Sequence, residues 1–116
     1  MLKTLNEILD MAENGRYAVI APDFPSLFIC RILLEAAEES HTPIILSYST
    51  SFKPLMDVGT YARFVRILRD EIEQFQVPAA LHLDHATDLA DISEAVDVGF
   101  TSGMIDASFE PFAANL

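Results

Sequence analysis

One rhythm narrows what this chain can fold into. Short apolar runs alternate with stretches whose apolar residues recur every three or four positions. "YAVIA" (Tyr17–Ala21), "TPIILSYS" (Thr42–Ser49), "VPAALHLD" (Val77–Asp84) and "TSGMIDAS" (Thr101–Ser108) read as strands. Between them the spacing predicts helices over Leu27–Ser40, Thr60–Phe75 and Thr87–Gly99, with Ser26 as an N-cap and Gly99 as a stop. A further helix over Leu5–Asn14 precedes the first strand and ends at Asn14-Gly15. "PDFPS" is a turn, and Thr50–Gly59 is a long loop. The strands are apolar on both faces, as in a parallel sheet covered by helices. The expected class is α/β, with residues 1–116 forming a single partial domain.

Composition removes several function classes. The net charge is −11, and the seven basic residues are scattered, so nucleic acid is not an expected partner. Only Arg63, Arg66 and Arg69 form a local series, which reads as a solvated helix face. No apolar run reaches the roughly 20 residues of a membrane span. The first fifteen residues read as a polar helix and not as a signal peptide. The single cysteine, Cys30, excludes an internal disulfide and sits on an apolar helical stripe, as a core residue would. A lone thiol without a leader fits a cytoplasmic location.

The strands end in polar groups: Asp23 just beyond the first, then Ser49, Asp84 with His85, and Asp106 with Ser108. In α/β folds, ligands bind at the carboxyl ends of strands. A histidine held at a strand end is a metal-ligand candidate, or a cap for a neighbouring backbone group. Asp84 is a candidate acid/base. Its alternative role is to cap the following helix, which Thr87 or Asp88 could do instead. Asp106 closes an apolar strand and needs a partner: a hydrogen bond to a neighbouring strand or loop, which the residues alone favour slightly, a metal, or a ligating histidine that it orients. His82 reads as a hydrogen-bonding support and His41 as structural. Neither a G-x-G-x-x-G motif nor a Walker loop occurs.

The stretch "VPAALHLDHATDLADISEAVDVGFTSGMIDASFEPFAANL" resembles the signature region of class II, zinc-dependent ketose-bisphosphate aldolases. The likeness extends back through "TPIILSYS", "LLEAAEES" and "GRYAVIAPDF". "LHLDH" and "GFTSGMIDAS" carry it together. The resemblance implies the N-terminal half of a (β/α)₈ barrel, about four parallel strands alternating with helices. It also implies zinc-dependent, reversible cleavage of fructose- or tagatose-1,6-bisphosphate into two triose phosphates. On that pattern His85 matches a zinc ligand, Asp84 the catalytic acid/base, and Asp106 a carboxylate at the metal. Ser49 and Asp23 match substrate-side positions. The chain departs from the pattern at Pro22, Asp23 and Pro25, at Ala86 where glycine is usual, and at Phe109 where histidine is common.

The resemblance also places the remaining zinc histidines and the phosphate site beyond these residues. The chain alone is therefore expected to be inactive, with a phosphorylated ketose as the complete protein's substrate. A four-stranded parallel sheet has two open edges, so a homo-oligomer is expected, and a half-barrel dimer without catalysis is the alternative. A flavodoxin-like domain with Asp84 and Asp106 at strand ends is a further reading.

Overall fold

The computed structural model describes residues 1–55 and 58–115, with the side chains of 53–60 left aside. Its elements run in chain order. They are β1 (Leu2–Lys3), α1 (Leu5–Gly15), α2 (Leu27–Ser40), β2 (Ile44–Ser49), a 3₁₀ turn (Thr50–Leu55), α3 (Val58–Ile72), β3 (Ala79–Ala86), α4 (Leu89–Val98), β4 (Ser102–Ile105) and a 3₁₀ turn (Phe112–Ala114).

β3 is the centre of an all-parallel sheet. β2 runs along one side of it, from Ile44 opposite Ala79 to Ser49 opposite Asp84. β1 and β4 share the other side, at Ala79–Ala80 and at His82–Ala86 respectively. β1 was not apparent from the periodicity, since two residues carry no repeat. In place of the expected strand over Tyr17–Ala21, an irregular edge segment runs beside β2 from Ile20 to Phe24. There Ile45 N and Ser47 N donate to the Ile20 and Pro22 carbonyls, and Phe24 N donates back to Ser47 O. A single bridge, Asp23 to Ser47, is its only strand-like pairing. Pro22 and Pro25 lack the amide protons that a longer ladder would use.

The helices form where their caps allow. Thr4 and Glu7 make a reciprocal capping box at α1. Ser26 caps α2 as expected, accepting from Ile29 N. At α4 Asp88 is the cap, accepting from Asp91 N at 2.8 Å, which leaves Asp84 without that duty. α4 closes at Gly99, whose φ of 119° suits glycine, and a Cβ there would meet Arg69 Nη1 at 2.5 Å. His41 closes α2 in the left-handed region, the structural part foreseen for it. Of the expected loop over Thr50–Gly59, Thr50–Leu55 is a 3₁₀ turn and α3 begins at Val58, while Met56 and Asp57 lie outside the described residues.

Strand alternation sorts the core into two faces. Leu46, Tyr48, Leu81 and Leu83 join Cys30, Leu34, Val65, Leu68 and Ile72 beneath α2, α3 and α4. Ile45 and Ala80 point the other way and pack on Ile8 of α1. Cys30 is fully buried, and burial pushes its thiol up to about 12, as an inert core residue requires.

Tyr48 is the hub of an aromatic group. The rings of Phe24, Phe52 and Phe64 lie 5.5–5.6 Å away, and those of Tyr61 and Phe100 at 6.2 and 6.3 Å. Its hydroxyl is buried and has no hydrogen-bond partner among the described residues. An unmade buried hydrogen bond costs about 1–3 kcal/mol, whereas an apolar replacement of the same shape does not. Tyr48→Phe is therefore expected to stabilise the chain by about 1 kcal/mol, read as a raised urea midpoint with unchanged slope. A lowered midpoint would mean that the hydroxyl is satisfied in solution.

Candidate functional site

The site is built on a break in the alternation of β3. Leu81 and Leu83 face the helices, so position 85 should do the same. Instead His85 has a φ of 57°, and the β3–β4 register slips between Leu83 and Ala86. One extra residue has been inserted into the strand. Ala86 takes the core-facing place and is fully buried, while His85 turns outward with its side chain 55% exposed. A left-handed conformation at a non-glycine residue is strained and persists only where its surroundings hold it.

Several contacts hold it. His85 Nδ1 lies 2.7 Å from Asp106 Oδ2. The His85 amide donates to Asp84 Oδ1 at 3.1 Å, and its Nε2 is 3.8 Å from Asp84 Oδ2. Thr50 Oγ1 donates to the His85 carbonyl at 2.5 Å. Asp106 is anchored in turn: its amide donates to Ala86 O at 2.7 Å, and its Oδ1 accepts from Ser108 N at 2.9 Å.

The charges reinforce one another. The Ser108 side chain first, then His85, holds Asp106 down to about 2. The bond to Asp106 raises the His85 pKa, helped by the nearby charges of Asp84 and Asp23. With Nδ1 committed to Asp106, the imidazole presents Nε2 outward.

The other predicted residues fall as follows. Asp23 is exposed on the neighbouring edge segment, within electrostatic reach of His85. Ser49 is buried, pairs in register with Asp84, and shares a 2.7 Å hydrogen bond with Ser51 Oγ. His82 Nδ1 lies 2.8 Å from Ser102 Oγ, the supporting part expected of it, and burial lowers its pKa against the pull of Asp84. Asp84, His85 and Asp106 are thus brought together, with Asp23 beside them and Ser49 turned into its own loop. Ser108, one of the strand-end groups read from the sequence, donates its amide to Asp106. Thr50 is not legible there, because a hydroxyl just past a strand end is too common a signal to single out.

A metal centre asks for more than this. Among the described residues, no three His, Cys, Asp or Glu side chains are placed to hold one ion. A catalytic zinc typically takes three protein ligands, so the residues present do not fit a complete zinc site. No helix among the described residues is long and apolar enough to cross a membrane.

Comparison with known proteins agrees with the geometry. Residues 3–116 match the family model described as "Fructose-bisphosphate aldolase class-II". The chain is 37% identical over 117 residues to a fructose-bisphosphate aldolase of Geobacillus stearothermophilus, covering 99% of itself and 40% of that protein. It is 37% identical over 110 residues to a fructose-bisphosphate aldolase of Staphylococcus aureus, covering 94% of itself and 38% of that protein. It superposes on the crystal structure of the YdjI aldolase from Escherichia coli K12 with a TM-score of 0.86 at 27% identity, over 99% of this chain and 42% of that one. The chain therefore spans about 40% of the length of the curated relatives it matches. Its α/β fold is the expected part of a barrel of aldolase type.

Proposed function

We infer, because the chain belongs to the fructose-bisphosphate aldolase class-II family, that it carries one carboxylate and one imidazole of a ketose-bisphosphate aldolase site. The reaction is the reversible cleavage of a ketose bisphosphate into dihydroxyacetone phosphate and glyceraldehyde 3-phosphate. The observation that carries this reading is the strand-end cluster. His85 is thrown out of β3 by a bulge, tied through Nδ1 to Asp106 at 2.7 Å, and flanked by Asp84.

The chemistry assigns parts to these groups. Cleavage needs a base to take the proton of the hydroxyl that becomes the aldehyde. The electrons of the breaking carbon–carbon bond then form the carbon–carbon double bond of an enediolate, and the ketone's π electrons move onto its oxygen. Asp84 is that base, and it returns the proton in the aldol direction. Its carboxylate is partly exposed beside His85 and is not used to cap α4. His85 would present Nε2 as a single ligand to a zinc ion, and Asp106, on Nδ1, fixes the tautomer and the ring orientation. Asp23 and Ser49 stand on the substrate side. One ligand does not make a zinc site, so no step is assigned to the metal in this chain. A complete site would take its other ligands from outside the described residues. Met104 and Ile105 of β4 are 37% and 44% exposed, so this edge is open to a further strand.

The experiment supplies the missing part. The chain is mixed with the portion of the Geobacillus stearothermophilus aldolase that it does not span, in the presence of zinc. That enzyme's own matching segment serves as the positive control. Fructose- and tagatose-1,6-bisphosphate are offered, and triose phosphate is measured. Cleavage by the mixture is expected. If the control segment restores activity and this chain does not, the site assignment is wrong.

A further inference from the structure

We propose that Thr50 is a positioning residue for His85, acting through the backbone of the bulge and not through the imidazole. The proposal rests on the reading of His85 as a functional group. His85 is the one residue of β3 with a positive φ, 57°, and its peptide is turned out of the sheet ladder. A carbonyl displaced this way loses its ladder partner and needs another. Thr50 Oγ1 meets it at 2.5 Å from the first residue of the 3₁₀ turn that follows β2. Ser49, the residue before, is paired in register with Asp84, the residue before His85. The end of β2 therefore lies alongside the bulge, and a hydroxyl on residue 50 reaches it.

Two bonds from opposite sides then fix the histidine. Thr50, from the β2 side, holds the main chain, and Asp106, from the β4 side, holds Nδ1. With the main chain free, the left-handed conformation has one fewer contact to offset its strain, and the ring can leave Asp106. A site of this kind needs its groups held within about 0.5 Å, so an anchor on the backbone matters as much as one on the ring.

The test is made on the 116-residue chain with Thr50→Val, which keeps the shape and removes the donor, and Thr50→Ser, which keeps the donor and removes the methyl. The tautomer of His85 is read from long-range ¹H–¹⁵N spectra of its imidazole, and its backbone state from its ¹³Cα and carbonyl shifts. Thr50→Ser should retain the Nδ1–H tautomer and the wild-type shifts. Thr50→Val should lose the left-handed shifts at His85 and show mixed tautomers, while core resonances such as Leu81 and Tyr48 stay in place. A folded Thr50→Val chain with unchanged His85 signals overturns the proposal. If Thr50→Val does not fold, Thr50→Ser decides: displaced His85 signals overturn the proposal, and preserved ones support the hydroxyl over the methyl. These readouts need neither turnover nor metal, so they stand or fall apart from the aldolase assignment.

Discussion

Asp84→Asn is expected to lower ketose-bisphosphate cleavage in the reassembled protein by roughly 10²–10⁴-fold, the usual contribution of a positioned general base. Asparagine has the size of aspartate and keeps an oxygen for the His85 amide, which now donates to Asp84 Oδ1 at 3.1 Å. The bulge and the His85–Asp106 bond should therefore survive, and only the proton acceptor is lost. The substitution should reduce kcat with KM little changed, because a base acts in the transition state and hardly in substrate binding. Asp88, not Asp84, caps α4, so helix stability should not change. Activity within about threefold of wild type would remove Asp84 from the base role and leave the cluster to binding alone.

Leu81→Ala is expected to destabilise the chain by roughly 2–5 kcal/mol, the range for truncating a buried leucine. Leu81 is completely buried at the middle of β3, opposite Leu46 of β2, and belongs to the main core cluster. On its other side Thr101, just before β4, also grips this residue's backbone: Leu81 N donates to Thr101 Oγ1 at 3.0 Å, and Thr101 N donates to Leu81 O at 2.9 Å. Tight backbone on both sides limits collapse into the void, which favours the upper part of the range. Whole domains are stable by only about 5–15 kcal/mol, and this sheet has an open edge at β4. Urea denaturation followed by circular dichroism should show a largely unfolded chain or a greatly lowered midpoint. A loss below about 1 kcal/mol would mean that Leu81 is not a core residue in solution.

The sequence made the larger elements legible because their signals are local and periodic. α2 occupies Leu27–Ser40 as read, with Ser26 as its cap, and the cores of β2 and β3 lie inside the predicted runs. The misses have different causes, a distant partner for β1 and local chemistry for the others. β1 exists because Leu2 and Lys3 find Ala79 and Ala80. The edge segment that takes the place of the first expected strand stays irregular because Pro22 and Pro25 supply no ladder donors for its continuation. β4 stops at Ile105, short of the predicted Ser108, because Asp106 turns to His85 and accepts from the Ser108 amide.

The site was legible by residue type and position, not by geometry. Asp84, His85 and Asp106 were picked out as strand-end polar groups. The bulge that ejects His85 leaves no mark in "LHLDHA", where simple alternation would have sent it into the core. The bond from Asp106 to His85 joins residues 21 apart, so spacing alone leaves open whether Asp106 is a ligand, an orienting group or a hydrogen-bonding partner of a neighbouring strand or loop. The geometry favours the second role, with Asp106 on Nδ1 and Nε2 facing outward.

The most direct measurement is ketose-bisphosphate cleavage by the isolated chain, with zinc content determined on the same sample after dialysis against a zinc buffer. Because the site holds one histidine, His85, and no three ligating side chains come together among the described residues, neither turnover nor stoichiometric zinc is expected. Zinc retained at about one ion per chain, with cleavage lost on His85→Ala, would contradict the account, because it would mean that these residues build a whole site on their own.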